Sequence, residues 1–222
     1  FRKFEMTGLL IEHGSFNYKY YNFSQYHKEK VNVLLDYYKD YSFKTFDSKE
    51  EYYDYLYNIV IPWESNERIR NKIIEAKAKV LSITLDGTLT LDQKEEMLDR
   101  MFYSNALSKA VKKHDMKLIF KELLILSGLI KEDSKFKDIA EPLRLEYLLA
   151  LTIGKLYGTE GLVSNIIYNE EGEPLHCAPG GKCDIQFINK EGSYILEPTM
   201  QRGRSQQLNN ETTNIARHVR KE

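Results

Sequence analysis

The stretch DIQFINKEGSYILEPTM, Asp184 to Met200, decides how this chain is read. Ile185, Phe187, Tyr194 and Leu196 place apolar side chains at alternate positions of two short runs, the period of a half-buried strand, and Asn189-Lys190-Glu191-Gly192 between them is a polar turn. Folded about Lys190 and Glu191 as an antiparallel hairpin, the pattern sets Ile185 against Leu196 and Phe187 against Tyr194 on one face. Asp184 and Glu197 then meet on the other face, with Cβ atoms roughly 4.5–5.5 Å apart, and Thr199 points the same way. Two carboxylates that close repel unless a proton or a cation sits between them. Oxygen-only donors select a hard ion, so the pair predicts a site for Mg²⁺, with Mn²⁺ as a substitute.

Working outward, 222 residues at 42% hydrophobic are enough to bury one large core or two smaller ones. No run approaches a membrane span and no segment has the pattern of a signal peptide, so the expected location is cytoplasmic. A net charge of −1 gives no global basic signal for nucleic acid. Locally, Arg202, Arg204, Arg217, Arg220 and Lys221 stand against only Glu211 and Glu222, a patch suited to a phosphate backbone. Cys177 and Cys183 read as reduced thiols. His176 offers a third zinc ligand, but Cys183 falls directly before Asp184 in a strand and no fourth ligand has a recognisable spacing. The sequence begins at Phe1 and stops inside an apparent helix, so it reads as a piece of a longer protein, its last domain truncated at the C-terminus.

Residues 1–135 read as mostly helical. Val31–Tyr38 and Lys49–Tyr57 carry apolar and aromatic residues every three or four positions, which predicts an aromatic-rich helical core; a base-stacking surface is the alternative, disfavoured by the accompanying Asp and Glu. Helices follow from Asn66 to Lys79, over 92–104 with Thr90 as cap, and over 115–126, ending near Ser127-Gly128. Thr84-Leu85-Asp86-Gly87-Thr88 resembles the first motif of haloacid-dehalogenase-like phosphatases. Thr84 occupies the nucleophile's position without a carboxylate, so Asp86-Gly87 reads as a turn. From 136 the pattern changes to a helix starting near Pro142 and ended by Gly158, a strand over 162–168, the glycine-rich 178–181, the hairpin, and a final helix from about Arg204. That order predicts an α+β or α/β fold, with a mixed sheet flanked by helices in the region 136–222.

Two further segments carry candidate chemistry. Glu146 lies in LRLEYLLAL among leucines, where a lone carboxylate ordinarily belongs to the solvated stripe; Arg144 and Thr152 are polar too, so periodicity leaves the question open. Gln207, Glu211, Ile215 and His218 recur at helical spacing along one face of the last helix, able to lie over the hairpin.

The ordered set of Arg144-Leu145-Glu146-Tyr147, Ala178 to Ile185, Leu196-Glu197-Pro198-Thr199, Gln207, Glu211 and Arg217-His218 resembles the PD-(D/E)XK core of AlwI-like type IIS restriction endonucleases and the related site-specific nicking endonucleases. Phe1 to Leu9 and Ile61-Pro62-Trp63-Glu64 are similar to that family's junction after its recognition region and to its helical linker. The resemblance implies Mg²⁺-dependent hydrolysis of double-stranded DNA, with 1–135 a linker region and 136–222 the endonuclease core. It implies that Asp184, Glu197 and the Pro198 carbonyl hold the metal, with Glu146 as an additional carboxylate. Glu211 and His218 would activate water, Gln207 would orient water or phosphate, and Arg202 and Arg204 would bind backbone phosphates. Thr199 stands where the wider superfamily keeps a lysine and brings no positive charge. A homodimer or partner subunit would supply a second active site for double-strand cleavage. The competing readings are a repair or junction nuclease on the same core and a non-catalytic helical DNA- or protein-binding module.

Overall fold

The computed structural model describes residues 7–15, 18–177 and 182–200. Among these run seven helices and three small antiparallel sheets, distributed over two compact units whose division falls at Asp99–Arg100.

The unit Leu9–Asp99 opens with a hairpin, β1 (Leu10–Ser15) and β2 (Tyr18–Phe23), followed by α1 (Lys28–Tyr38), α2 (Lys49–Tyr57), α3 (Pro62–Ser65), α4 (Glu67–Leu81) and the start of α5 (Leu91–Lys113). The hairpin departs from the helical expectation. In β2 nearly every side chain is exposed, so no alternation of polar and apolar residues marks it as a strand; the pairing of Leu10 with Phe23 through Ser15 with Tyr18 defines it instead. The expected helices do form, and their ends have chemical causes. Asn66 accepts from the Arg68 and Ile69 amides, and Thr90 and Gln93 bond reciprocally as a capping box. The Asp86 carboxylate accepts from the Thr88 amide and hydroxyl, both at 2.8 Å, which makes this segment the expected turn.

Ile74, Ala78 and Leu98 form the small core of this unit. Lys77 is buried beside them, 1% exposed. An unpaired ammonium there would be prohibitive, and Asp99 at 2.7 Å and Glu95 at 3.6 Å compensate it, while the Tyr26 hydroxyl donates to the same Asp99 oxygen at 2.6 Å. The expected aromatic-rich core is not what α1 and α2 build. α2 buries none of its residues, and Tyr41, Phe43, Tyr53 and Tyr57 are exposed. Both periodic runs are helices, but their aromatic faces are not covered by the described chain.

In the second unit, α5 continues to Lys113 rather than stopping near 104, because Ala106, Leu107, Ala110 and Val111 extend its buried stripe. After α6 (Met116–Leu126), the helix α7 (Glu141–Tyr157) begins with Pro142 in its first turn and ends at Gly158, φ 86°. Its backbone runs close to α5 at Gly154, where a Cβ would lie 2.6 Å from Val111 Cγ2. The expected strand over 162–168 is broken at Asn165-Ile166 into β3 (Leu162–Ser164) and β4 (Ile167–Tyr168). β4 pairs with β5 (Pro174–His176), while β3 joins β6 (Ile185–Asn189) and β7 (Gly192–Leu196) in the order β3-β6-β7. Both sheets are antiparallel, so the expected mixed sheet is absent among the described residues. A parallel neighbour needs a crossover of a dozen or more residues, and the segment between β3 and β6 is spent on the β4–β5 pair. The core between α5, α6, α7 and this sheet includes Tyr147, Leu148, Leu151, Ile166, Ile185 and Phe187.

Candidate active site

The hairpin has the register its sequence dictates. Ile185 pairs with Leu196, Phe187 with Tyr194 and Asn189 with Gly192. The Asn189 side chain closes the turn by accepting from the Glu191 and Gly192 amides at 2.8 and 3.1 Å. On the apolar face, Phe187 stacks on Tyr194 with ring centroids 6.3 Å apart, and Tyr157 of α7 meets Phe187 at 5.2 Å. Cys183, Ile185 and Phe187 are buried, whereas Asp184 and Gln186 are half-buried and Ile188 is exposed. Asp184, just before β6, is thus less buried than the core residues Cys183 and Ile185 on either side of it. The pairing ends at Ile185–Leu196, so Asp184 and Glu197 each stand one residue beyond it, and Glu197, Pro198 and Thr199 are all half-buried.

Glu146 occupies the buried side of α7 with Leu143, Tyr147 and Ala150. At 7% exposed it is not part of a solvated stripe. Burial first, then the charge of Glu146, to which it is hydrogen-bonded, and then the charge of Asp184 push the Cys177 thiol up to about 11. One carboxylate from α7 and one from the entry of β6 therefore act on the same sulfur. The Tyr168 phenol is also pushed up, by burial foremost and by Glu146, against a bond to Ser164 that works the other way. That bond is the Tyr168 hydroxyl donating to Ser164 Oγ at 2.8 Å.

Among the described residues no group of three His, Cys, Asp or Glu side chains lies close enough to hold a metal ion. The zinc set His176, Cys177 and Cys183 is thus not assembled. Cys183 is buried with the Asn165 amide 3.8 Å from its sulfur, while Cys177 is exposed. Glu146, Asp184 and Glu197 likewise do not form a closed triad. Mg²⁺ does not require one, since it keeps several waters and takes one or two carboxylates plus a substrate phosphate. Asp184 and Glu197, each one residue beyond the last pair of the hairpin, are of that donor type. Arg202, Arg204, Gln207, Glu211 and His218 lie outside the described residues, as do the glycine-rich 178–181 and the expected final helix.

Two residues near this pair were not singled out as site residues by the sequence. Cys177 drew notice only as a zinc candidate, and its place beside Glu146 depends on a contact between distant segments. Asn165 has a signal that was available: a polar side chain interrupting the apolar run Leu162 to Tyr168.

No helix among the described residues is long and apolar enough to cross a membrane. No curated protein and no solved structure matches the chain. The family model described as AlwI restriction endonuclease matches residues 1–222. With a match over its whole length, the chain belongs to the AlwI restriction endonuclease family, whose members are type II site-specific deoxyribonucleases.

Proposed function

We propose that this chain hydrolyses phosphodiester bonds of double-stranded DNA with Mg²⁺ held by Asp184 and Glu197, on a PD-(D/E)XK-type core within 136–222 that follows a linker region over 1–135. The observation that supports this reading is the β6–β7 register, whose last pair, Ile185 with Leu196, leaves Asp184 and Glu197 each one residue beyond it at the open end of the hairpin. Glu146, buried in α7 and bonded to the Cys177 thiol that Asp184's charge also reaches, would be an additional carboxylate for that ion, directly or through water.

When bound, Mg²⁺ supplies polarisation of the scissile phosphate and a more acidic attacking water. The remaining work falls to side chains of this chain. Glu211 and His218 are the groups for taking the water's proton, the imidazole because it exchanges a proton near neutral pH. Gln207 orients water or phosphate, and Arg202 and Arg204 bind backbone phosphates, giving affinity without sequence information. Thr199 occupies the position of the superfamily's lysine as a neutral hydroxyl, so the developing charge on phosphorus is met by other cations. A second copy of the chain or a partner subunit provides the second active site that cutting both strands requires.

The test is cleavage and binding of one DNA duplex by Asp184→Ala and Glu197→Ala variants. Both are expected to lose Mg²⁺-dependent cleavage while binding DNA near normally, and His218→Ala to lose about 10²–10⁴-fold in rate. Full cleavage by either carboxylate variant ends the assignment of the metal pair.

A further inference from the structure

We propose that Asn165 is a positioning residue for Asp184, fixing the peptide from which that carboxylate projects. The inference rests on the metal-pair reading above. Asn165 stands at the break between β3 and β4, one residue beyond the last β3–β6 pair, Ser164 with Ile185. Its main-chain N–H donates to the Asp184 carbonyl at 3.0 Å, and its side-chain Nδ2 donates to the Cys183 carbonyl at 2.8 Å. One residue thus grips two consecutive carbonyls of the segment that leads into β6, the second with a side chain that reaches where the backbone of β3 no longer runs alongside.

The position matters because Asp184 falls just outside both ladders of β6. Pairing with β3 and with β7 alike begins at Ile185. The strand's end is also the point at which a ligand's direction is most easily lost. Asn165 extends the hold by one step past that end, on the side away from β7. It is itself set firmly: Ile166 beside it is 0% exposed, and Cys183 opposite is 1% exposed. The side chain contacts no carboxylate oxygen of the proposed pair in these bonds, so it acts through the backbone and not on the reacting atoms. Partners of this kind hold metal ligands in geometry, and their loss typically weakens metal affinity by about 10–100-fold. The broken strand is then not a defect of β3. A continuous strand through Ile166 would put a main-chain group, without the amide's reach, at the Asp184 end of β6.

The experiment compares the full chain with its Asn165→Ala and Asn165→Leu variants, Leu being close to Asn in shape but without a donor. Mn²⁺ binding is measured by calorimetry and the Mg²⁺ dependence of cleavage by titration. The expected result is Mn²⁺ affinity lowered about tenfold or more in both variants, with the half-saturating Mg²⁺ concentration raised in step and kcat recovered at saturating Mg²⁺. Unchanged Mn²⁺ affinity, or a rate loss that no Mg²⁺ concentration restores, overturns the positioning role. Thermal unfolding in EDTA identifies a variant that fails to fold, in which case the other decides. Asp184→Ala run alongside separates the two claims: wild-type Mn²⁺ affinity in that variant sinks the metal-pair reading itself. If Asp184→Ala loses the ion while both Asn165 variants keep it, only the role of Asn165 falls.

Discussion

His27 is held neutral by its surroundings. Burial first, then the charges of Lys77 and Lys30, bring its imidazole down to about 3, with Asp99 pulling weakly the other way. In the unfolded chain a histidine titrates near 6.5. Between those values the unfolded state binds a proton that the folded state refuses, so stability falls as pH drops through the window and is fully retained above it, with a slope of at most about 1.4 kcal/mol per pH unit. His27→Gln is expected to flatten that dependence in denaturant titrations between pH 4 and 7. An equal slope in the variant places the acid sensitivity elsewhere. Individual residues were unevenly legible in the sequence. The register next to Asp184 and Glu197 was legible because one local hairpin fixes it, through Ile185 with Leu196. Glu146 could not be decided, since its polar companions on α7 look alike along the chain. In the fold they differ: Thr152 returns its hydroxyl to the Leu148 carbonyl at 2.7 Å, while Glu146 is buried toward a thiol from a distant loop.

The β6–β7 hairpin owes its register to alternation and to Asn189, whose carboxamide oxygen takes both turn amides. Asn189→Ala removes those bonds and is expected to cost about 1 kcal/mol in chemical denaturation. Because slippage by one residue would turn Glu197 to the other face, the proposed metal pair predicts that the same change weakens Mg²⁺ activation of cleavage; a variant with full metal response would show that the turn does not set that pair. Helix ends were the most readable elements. Thr90 with Gln93 and the Ser127-Gly128 stop act through bonds to near neighbours, and Pro142 through its fixed φ in the first turn. β1 and β2 escaped detection for the opposite reason, because exposed aromatics such as Tyr18 and Tyr20 leave no periodic burial to read. The break at Asn165 was marked only by a polar side chain in an apolar run, and what it serves was hidden because β6 begins twenty residues further on.

Across the molecule, acidic and basic residues nearly cancel, at 33 and 32. DNA must therefore be held by a local concentration of cations and not by the field of the whole chain. Replacing Arg202 and Arg204 with Ala is expected to lower DNA affinity uniformly across sequences and to reduce the slope of log K against log salt by about 0.9 for each phosphate that is no longer neutralised. An unchanged slope assigns phosphate binding to other residues. The two compact units also differ in what steadies them. Leu9–Asp99 has a small apolar cluster and a buried charge network around Lys77, while the unit carrying the hairpin has the larger core. Family membership could be argued from the ordered motifs before the fold was known, because they are strings of neighbours. The antiparallel sheet could not, since strand direction depends on connections whose paths the sequence does not display.

The claim on which the rest depends is tested most directly by anomalous scattering from a crystal soaked in Mn²⁺, recorded at the manganese edge. The expected result is a peak between the Asp184 and Glu197 carboxylates, at about 2.0–2.3 Å from an oxygen of each. A crystal of the same protein with no peak at the hairpin, or with manganese bound only elsewhere, contradicts it.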